Sequence, residues 1–232
     1  MARVRRNRDL EPELLAWSDH SLSQIVDYLN QGMILAIPTD TVHGLVCLPK
    51  VPGTTDRLFE LKNRPDNVNL QVLVGSIIEA HKLFSSQKVP GLLRLAKAFW
   101  PGPLTIVDYR NPTITWNLGE SSDTIGVRVP ASDLVQEICG RVGPLVATSV
   151  NMHGETPISS PREIVRAFPG GDDRLKAVVV MGHRSQAQTF ASPESGLAST
   201  VVDVTGGYPR ILRSGSISLD QISNAWDEPA GL

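Results

Sequence analysis

Short apolar runs alternate with helical faces along most of this chain, and proline or glycine punctuates nearly every junction. That alternation limits the fold more than any other feature. Leu22, Ile25, Val26 and Leu29 recur at helical spacing, and Gly32 stands where such a helix would stop. Residues 33–37 then read as a short buried strand closed by Pro38. Residues 55–62 suit a helix with Leu58 and Leu61 on one face, and residues 70–74 a strand. Ser76 and Glu79 have capping-box spacing and should open another helix. Leu92, Leu95, Ala96 and Phe99 form a further helical face, halted by Pro101-Gly102-Pro103.

The second half repeats the pattern. Residues 104–108, 124–129, 145–148, 177–181, 200–204 and 210–212 are β-branched or apolar enough for strands. Leu134, Val135 and Ile138 predict a helix between Pro130 and Gly140. Ser160, Pro161 and Glu163 supply a cap, a first-turn proline and a returning carboxylate. Ser218 opens a short final helix. Strands mixed with helices in this way indicate a layered α/β domain. The polar, Ser/Gln-rich stretch 182–196 reads as a mobile loop.

The length of 232 residues allows one substantial core, and 41% apolar with 20% charged residues is ordinary for a globular protein. A formal net charge of −2 argues against a surface given over wholly to nucleic acid, though a local basic groove remains compatible with it. Cys47 and Cys139 are too few for a disulfide scaffold and read as buried thiols. No apolar stretch approaches the roughly 20 residues that span a bilayer. The basic N-terminus lacks the apolar segment of a secretory signal, so residues 1–19 read as a flexible tail and a reducing cytoplasm fits. His20, His81, His153 and His183 show no metal-ligand spacing, so no metal site is expected.

Several polar signatures sit at the ends of these elements. Lys62-Asn63-Arg64-Pro65 ends a predicted helix, and Ser149-Val150-Asn151 follows a predicted strand. Thr39, Asp40, Thr41, His43 and Gly44 follow another. Side chains two apart point opposite ways in a strand and about 200° apart on a helix. Lys62 and Arg64 should therefore meet one ligand only from a loop or a helix end. There Arg64 can fork onto phosphate oxygens while Lys62 supplies a compact charge. Arg128 lies between Val127 and Val129, and a semi-buried guanidinium needs an anion, either a ligand carboxylate or an internal acid. Trp100 reads as turn or core packing. No Walker loop is present to hold phosphates.

Taken in order, these segments resemble the YrdC-like domain of threonylcarbamoyl-AMP synthases. The resemblance covers about residues 20–217. It rests on Pro38 to Leu45, Lys62-Asn63-Arg64-Pro65, Trp100 to Thr105, Val127-Arg128-Val129-Pro130, Ser149-Val150-Asn151, Ser199 to Asp203 and Leu212-Arg213-Ser214-Gly215. It implies a single domain with a twisted mixed sheet, flanking helices and a concave, positively charged cleft. Residues 218–232 would be a short helix and tail. The implied reaction joins L-threonine, bicarbonate and ATP, with Mg2+ on the ATP, into threonylcarbamoyl-adenylate and pyrophosphate. Separate transfer machinery then modifies tRNA.

By the same resemblance, Lys62 and Arg64 are the catalytic cations. Arg64, Thr124, Asn151 and Arg213 contact ATP, and Thr41, Arg128, Ser149 and Ser199 contact threonine. Such a reaction needs no protein nucleophile, because a carbamate oxygen attacks the α-phosphate. It needs positioning and charge screening. Like charges at ~4 Å repel by ~4 kcal/mol at an effective dielectric of 20, so a few fixed cations change the rate greatly.

The chain departs from the family pattern at three places. His43 stands where tyrosine is usual. Val68, Asn69, Leu70 and Leu73 replace an Asn-Pro-Leu stretch and a nearby histidine. Thr156-Pro157-Ile158 replaces Pro-Ser-Pro. Two other readings follow from the resemblance: a module binding double-stranded RNA or tRNA in the same cleft, and a repurposed YciO-like paralogue. That branch tends to lose the Lys-x-Arg and Ser-x-Asn groups, which this chain keeps.

Overall fold

Helix α1 (Asp19–Asn30) begins where Ser18 and Ser21 cap each other. The Ser21 N–H donates to Ser18 Oγ at 3.2 Å, and the Ser18 N–H to Ser21 Oγ at 2.9 Å. Leu22, Ile25 and Leu29 form its buried stripe. Gly32 follows at φ +78, where an added Cβ would lie 2.9 Å from Val51 Cγ1, so both backbone and space require glycine there.

The computed structural model describes residues 11–62, 69–85, 90–120, 123–151, 156–168, 170, 174–181 and 197–227. Its strands are β1 (Glu13–Ala16), β2 (Ile34–Ile37), β3 (Gly44–Cys47), β4 (Gln71–Leu73), β5 (Leu104–Tyr109), β6 (Thr124–Arg128), β7 (Leu145–Ser149), β8 (Leu175–Val180), β9 (Thr200–Asp203) and β10 (Arg210–Arg213). They form one mixed sheet in the order β1-β8-β2-β3-β7-β4-β6-β5-β9-β10. The other helices are α2 (Thr54–Leu61), α3 (Ile77–Leu83), α4 (Pro90–Phe99), α5 (Asp133–Val142), α6 (Pro161–Ala167) and α7 (Leu219–Asp227).

Strand alternation sends the two faces into two cores. Ile34, Ala36, Val72, Ile106, Val127, Val178 and Val202 belong to a core shared with residues of α2, α3, α4, α6 and α7. Leu35, Ile37, Val46, Ala147, Ala177 and Val179 face the other way and pack with α1 and α5. Farther along this second face, Gln71, Thr105, Val107, Thr124, Gly126, Val201 and Asp203 line a cavity. The α/β expectation of a mixed sheet flanked by helices is met.

Several local expectations are corrected. Within the stretch 1–19 read as a tail, Glu13–Ala16 form β1, which runs parallel to β8 with Glu13 opposite Ala177. The apolar strand expected just before Cys47 is β3, which includes Cys47 itself and pairs antiparallel with both β2 and β7. The final helix is part of the domain: Ile222 and Trp226 are buried, and Arg94 Nε donates to the Trp226 carbonyl at 2.8 Å. Ser160 occupies the N-cap of α6, but its hydroxyl makes no cap bond. Glu79 does turn back at α3, though to the Gly75 N–H at 2.8 Å rather than to that of the Ser76 cap. Cys47, Cys139 and Trp100 are buried as expected, and Trp100 Nε1 donates to the Leu104 carbonyl at 2.6 Å. The stretch 182–196 lies outside the described residues.

Candidate active site

The loop between β2 and β3 carries three polar side chains that lock onto one another. Thr39 Oγ1 donates to the Val42 carbonyl at 2.6 Å and accepts from the Thr41 N–H at 3.2 Å. Thr41 Oγ1 in turn accepts from an Arg128 Nη at 2.9 Å, and Asp40 Oδ1 accepts from the other at 2.5 Å. Arg128 Nε donates to the Gly102 carbonyl at 3.0 Å. All three guanidinium nitrogens are therefore occupied, in a side chain only 2% exposed. Burial lowers its affinity for the proton, and the Asp40 charge offsets only part of that loss. The internal acid left open by the sequence is thus present, and it is Asp40. Its second oxygen, Oδ2, is buried with no partner.

Lys62 follows the last turn of α2, the end of a helix that favours a cation. Its ammonium, also 2% exposed, donates to Ser149 O at 2.6 Å, Asn151 Oδ1 at 3.1 Å and Thr148 Oγ1 at 3.2 Å. These three acceptors are uncharged oxygens. Ser149 Oγ donates to the same Asn151 Oδ1 at 2.6 Å. Lys62 therefore fixes the Ser149–Asn151 turn, 87 to 89 residues away in the chain. The expected helix end for Lys62 is found. Arg64, its proposed companion, lies outside the described residues, as do Val68, His153 and His183.

A third network joins β4, β5 and β10. Arg213 donates to the Ser199 carbonyl through Nε at 3.1 Å and Nη2 at 2.9 Å, and to Ser199 Oγ at 2.9 Å. Ser199 Oγ lies 2.8 Å from Thr105 Oγ1, which donates to Gln71 Oε1 at 2.9 Å. Burial, and then the nearby Arg128 charge, disfavour the protonated form of Arg213. Two guanidiniums therefore share this region.

These networks border two adjoining spaces. The larger, about 380 Å³, is lined by Gln71, Thr105, Thr124, Gly126, Ser149, Asp203 and Arg213 among others. It lies within the ~300–1,000 Å³ typical of small-molecule sites. A Cβ on Gly126 would come within 3.3 Å of Thr105 Cγ2, so glycine keeps that floor open. The smaller, about 30 Å³, is lined by Thr41, His43, Leu73, Arg128, Ser149, Ser199 and Arg213 among others. Gln71, Ala147, Thr148, Ser149 and Arg213 line both.

The fold thus brings Thr41, Arg128, Ser149, Ser199, Arg213 and Thr124 to one connected hollow, with Lys62 and Asn151 bonded to its Ser149 wall. Sequence reasoning missed Asp40, Thr105, Gln71 and Thr148. Only Asp40 had a local signal, its place between Thr39 and Thr41; the others depend on strand neighbours distant in the chain. His43 is 8% exposed, and burial pushes its pKa below the ordinary 6.5. Among the described residues no group of three or more His, Cys, Asp or Glu could hold a metal ion, and no helix is long and apolar enough to cross a membrane.

An α/β sheet with a ligand-sized hollow ringed by arginines and hydroxyls defines the class, a small-molecule-binding α/β domain. The chain belongs to the Sua5/YciO/YrdC family, whose model, described as "Telomere recombination", matches residues 27–215. A Mycobacterium tuberculosis relative is 31% identical over 198 residues, covering 85% of each chain. The human threonylcarbamoyl-AMP synthase is 29% identical over 195 residues, covering 84% of this chain and 66% of its own. Among solved structures, Pyrococcus abyssi Sua5 complexed with L-threonine aligns with TM-score 0.77 and 25% identity, over 93% of this chain. This chain spans 60% of the length of that one. Escherichia coli YciO aligns with TM-score 0.74 at 22% identity over 91% of this chain and 98% of its own, a likeness of fold.

Proposed function

We propose that this chain is an L-threonylcarbamoyladenylate synthase, a nucleotidyltransferase that makes threonylcarbamoyl-AMP and pyrophosphate from L-threonine, bicarbonate and ATP. The observation that carries this reading is the pair of adjoining spaces that share Ser149 and Arg213, the smaller of them also lined by Arg128. Relatives bearing that enzyme's name, and one solved with threonine, support it.

In this reading the smaller hollow takes the amino acid. Thr41, Ser149 and Ser199 offer hydroxyls to it, and Arg128, already neutralised by Asp40, offers an oriented dipole more than a bare charge. The larger cavity takes the nucleotide, with Thr124 and Arg213 in its wall and Asn151 behind it. ATP enters as its Mg2+ complex. Arg64, outside the described residues, is assigned to the phosphates by the family resemblance alone. Lys62 acts by holding Ser149 and Asn151 while adding a positive charge close behind them. In this reading Lys62, Arg128 and Arg213 are set against Asp40 and Asp203, a local excess of cations that favours two anions meeting there. The carbamate oxygen attacks the α-phosphorus and pyrophosphate leaves.

We place the protein in the cytoplasm, upstream of the machinery that transfers the threonylcarbamoyl group to tRNA. The test is pyrophosphate release from ATP and bicarbonate, with amino acids supplied one at a time. Release that requires threonine is expected. Tight, steeply salt-dependent RNA binding without turnover would instead favour a binding module.

A further inference from the structure

The larger cavity and the smaller hollow meet at Gln71, which lines both. Strand β4 lies between β7 and β6, with Gln71 opposite Ala147 on one side and Gly126 on the other. Residues directly opposite in register share a face of the sheet. The Gln71 side chain therefore rises from the same floor that Gly126 keeps open, while its neighbour Val72 points into the opposite core.

One chain of hydrogen bonds orients the amide. A guanidinium can only donate, so Ser199 Oγ accepts from Arg213 Nη2 at 2.9 Å. Ser199 Oγ lies 2.8 Å from Thr105 Oγ1, and the Thr105 hydroxyl donates to Gln71 Oε1 at 2.9 Å. With the amide oxygen engaged in this way, Nε2 is turned to the other side. Among the described residues Nε2 has no partner, and it is not one of the buried atoms sealed off without one. On an inner strand, an unsealed atom of this side chain opens onto the hollow above it. Two N–H bonds from an uncharged group are available there. The charged residues lining the two spaces are Arg128, Arg213 and Asp203. Arginines supply attraction for an anion, and Gln71 supplies a direction.

The reacting group must lie where the two spaces meet. A carbamate is joined to the amino acid through its nitrogen, and one of its oxygens becomes joined to the α-phosphorus. We propose that Gln71 is a catalytic residue that binds this carbamate: an Nε2 N–H donates to the oxygen that does not attack and so aims the other at the α-phosphorus. The proposal rests on the reading that the smaller hollow takes the amino acid and the larger cavity the nucleotide. In the step itself the attacking oxygen forms the O–P bond with its own lone pair. The bond from the α-phosphorus to the bridging oxygen breaks, and pyrophosphate leaves with that electron pair. No proton moves. The other carbamate oxygen becomes the carbonyl oxygen of the product and keeps its bond to Gln71. A donor already fixed in place needs no reorganisation as the new bond forms.

The experiment is threonine-dependent pyrophosphate release by the full chain, with wild type, Gln71→Leu and Gln71→Glu compared and folding checked by thermal melting. Gln71→Leu should lower kcat by about a hundredfold, as for the loss of one fixed donor. Its KM for threonine and for ATP should stay within about threefold, because neither substrate carries a carbamate when it binds. Gln71→Glu keeps an oxygen to accept from Thr105. If Gln71 merely braced Thr105, that variant would work near the wild-type rate with no trend in pH. As a carbamate donor it should instead fail when ionised, and regain an N–H-like donor when its carboxyl is protonated. Its kcat relative to wild type should climb about tenfold for each unit of pH from about 7.5 down to about 5.5, above the ordinary glutamate pKa. Taking the ratio cancels the conversion of bicarbonate to carbon dioxide. A near-wild-type kcat in either variant, or a ratio flat in pH for Gln71→Glu, overturns the proposal, and Gln71→Glu decides alone if Gln71→Leu does not fold. If the wild type itself releases no pyrophosphate in response to threonine, the reading of the two spaces falls, and the proposal with it.

Discussion

Strands β2 and β3 are buried on both faces, whereas β4, β5 and β6 bury one face and turn hydroxyls, an amide and a glycine toward a cavity on the other. In the first region α1 and α5 cover one side, and residues of α2 and α6 cover the other. In the second region α3 and α4 pack against β6 and β5, and the face away from them carries Gln71, Thr105, Thr124 and Gly126. Each of those positions forgoes the roughly 1.5–3 kcal/mol that a buried aliphatic side chain contributes. The doubly covered strands thus supply the stability that lets their neighbours spend a face on a ligand.

Substitutions on either side of that boundary should separate two kinds of damage. Arg128→Ala is expected to have the largest effect. It leaves Asp40 buried and unpaired, a loss of about 3–5 kcal/mol, and removes a wall of the amino-acid hollow. Adding Asp40→Asn should recover much of that stability in urea denaturation without recovering use of threonine. Leu35→Ala, wholly on the covered side, should cost about 2–5 kcal/mol through its cavity and leave KM for threonine and ATP unchanged in the folded fraction. Altered KM values in Leu35→Ala would dissolve the distinction between the regions.

The same boundary divides what could be read in advance. Helix faces such as Leu22, Ile25 and Leu29 repeat locally, so they were legible. The strand Glu13–Ala16 was not. It is four residues long, alternates between exposed and half-buried positions, and owes its existence to β8, some 160 residues later. At the site, Lys62 stood out in the Lys62-Asn63-Arg64-Pro65 motif at a helix end, and Arg128 as a charge between Val127 and Val129. Their partners did not, because Asp40 and Thr148 reach them only through sheet order, and sheet order leaves no periodicity in the sequence. For Lys62, expected as a catalytic cation, the bonds to Ser149 O and Asn151 Oδ1 lead us to propose a shift of role, toward tying down a turn.

That shift gives the second comparison. Arg128 and Lys62 are equally buried, but among the described residues Arg128 binds a carboxylate and Lys62 binds uncharged oxygens. Lys62→Ala should therefore reduce adenylate formation by about tenfold or more, with a smaller loss of stability than Arg128→Ala. Lys62→Arg should not restore the rate, because a planar fork cannot reproduce three bonds from one nitrogen. Wild-type turnover in Lys62→Ala would show that Ser149 and Asn151 need no tether.

The smallest expected effect probes the helix-covered face of the same strands. Asp108 on β5 points away from the cavity and is 1% exposed. Its Oδ1 accepts only the neighbouring Tyr109 N–H, at 2.8 Å, and its Oδ2 has no partner. Burial pushes its pKa above the usual carboxylate range; the Tyr109 N–H opposes this and the Asp203 charge adds to it. The native state therefore holds this proton more tightly than the unfolded chain. Stability from the group is fully present below the unfolded value of about 3.9 and is lost as pH rises through the higher native pKa. Asp108→Asn removes the ionisation. Near pH 7 it should stabilise the protein by about 1 kcal/mol, or about 2–4 °C in Tm, and the gain should vanish toward pH 4. Its kcat/KM should match the wild type, since the residue lies across the sheet from the hollow. A gain equally large at pH 4 and pH 7 would show that the carboxylate's charge is not what this face of β5 resists.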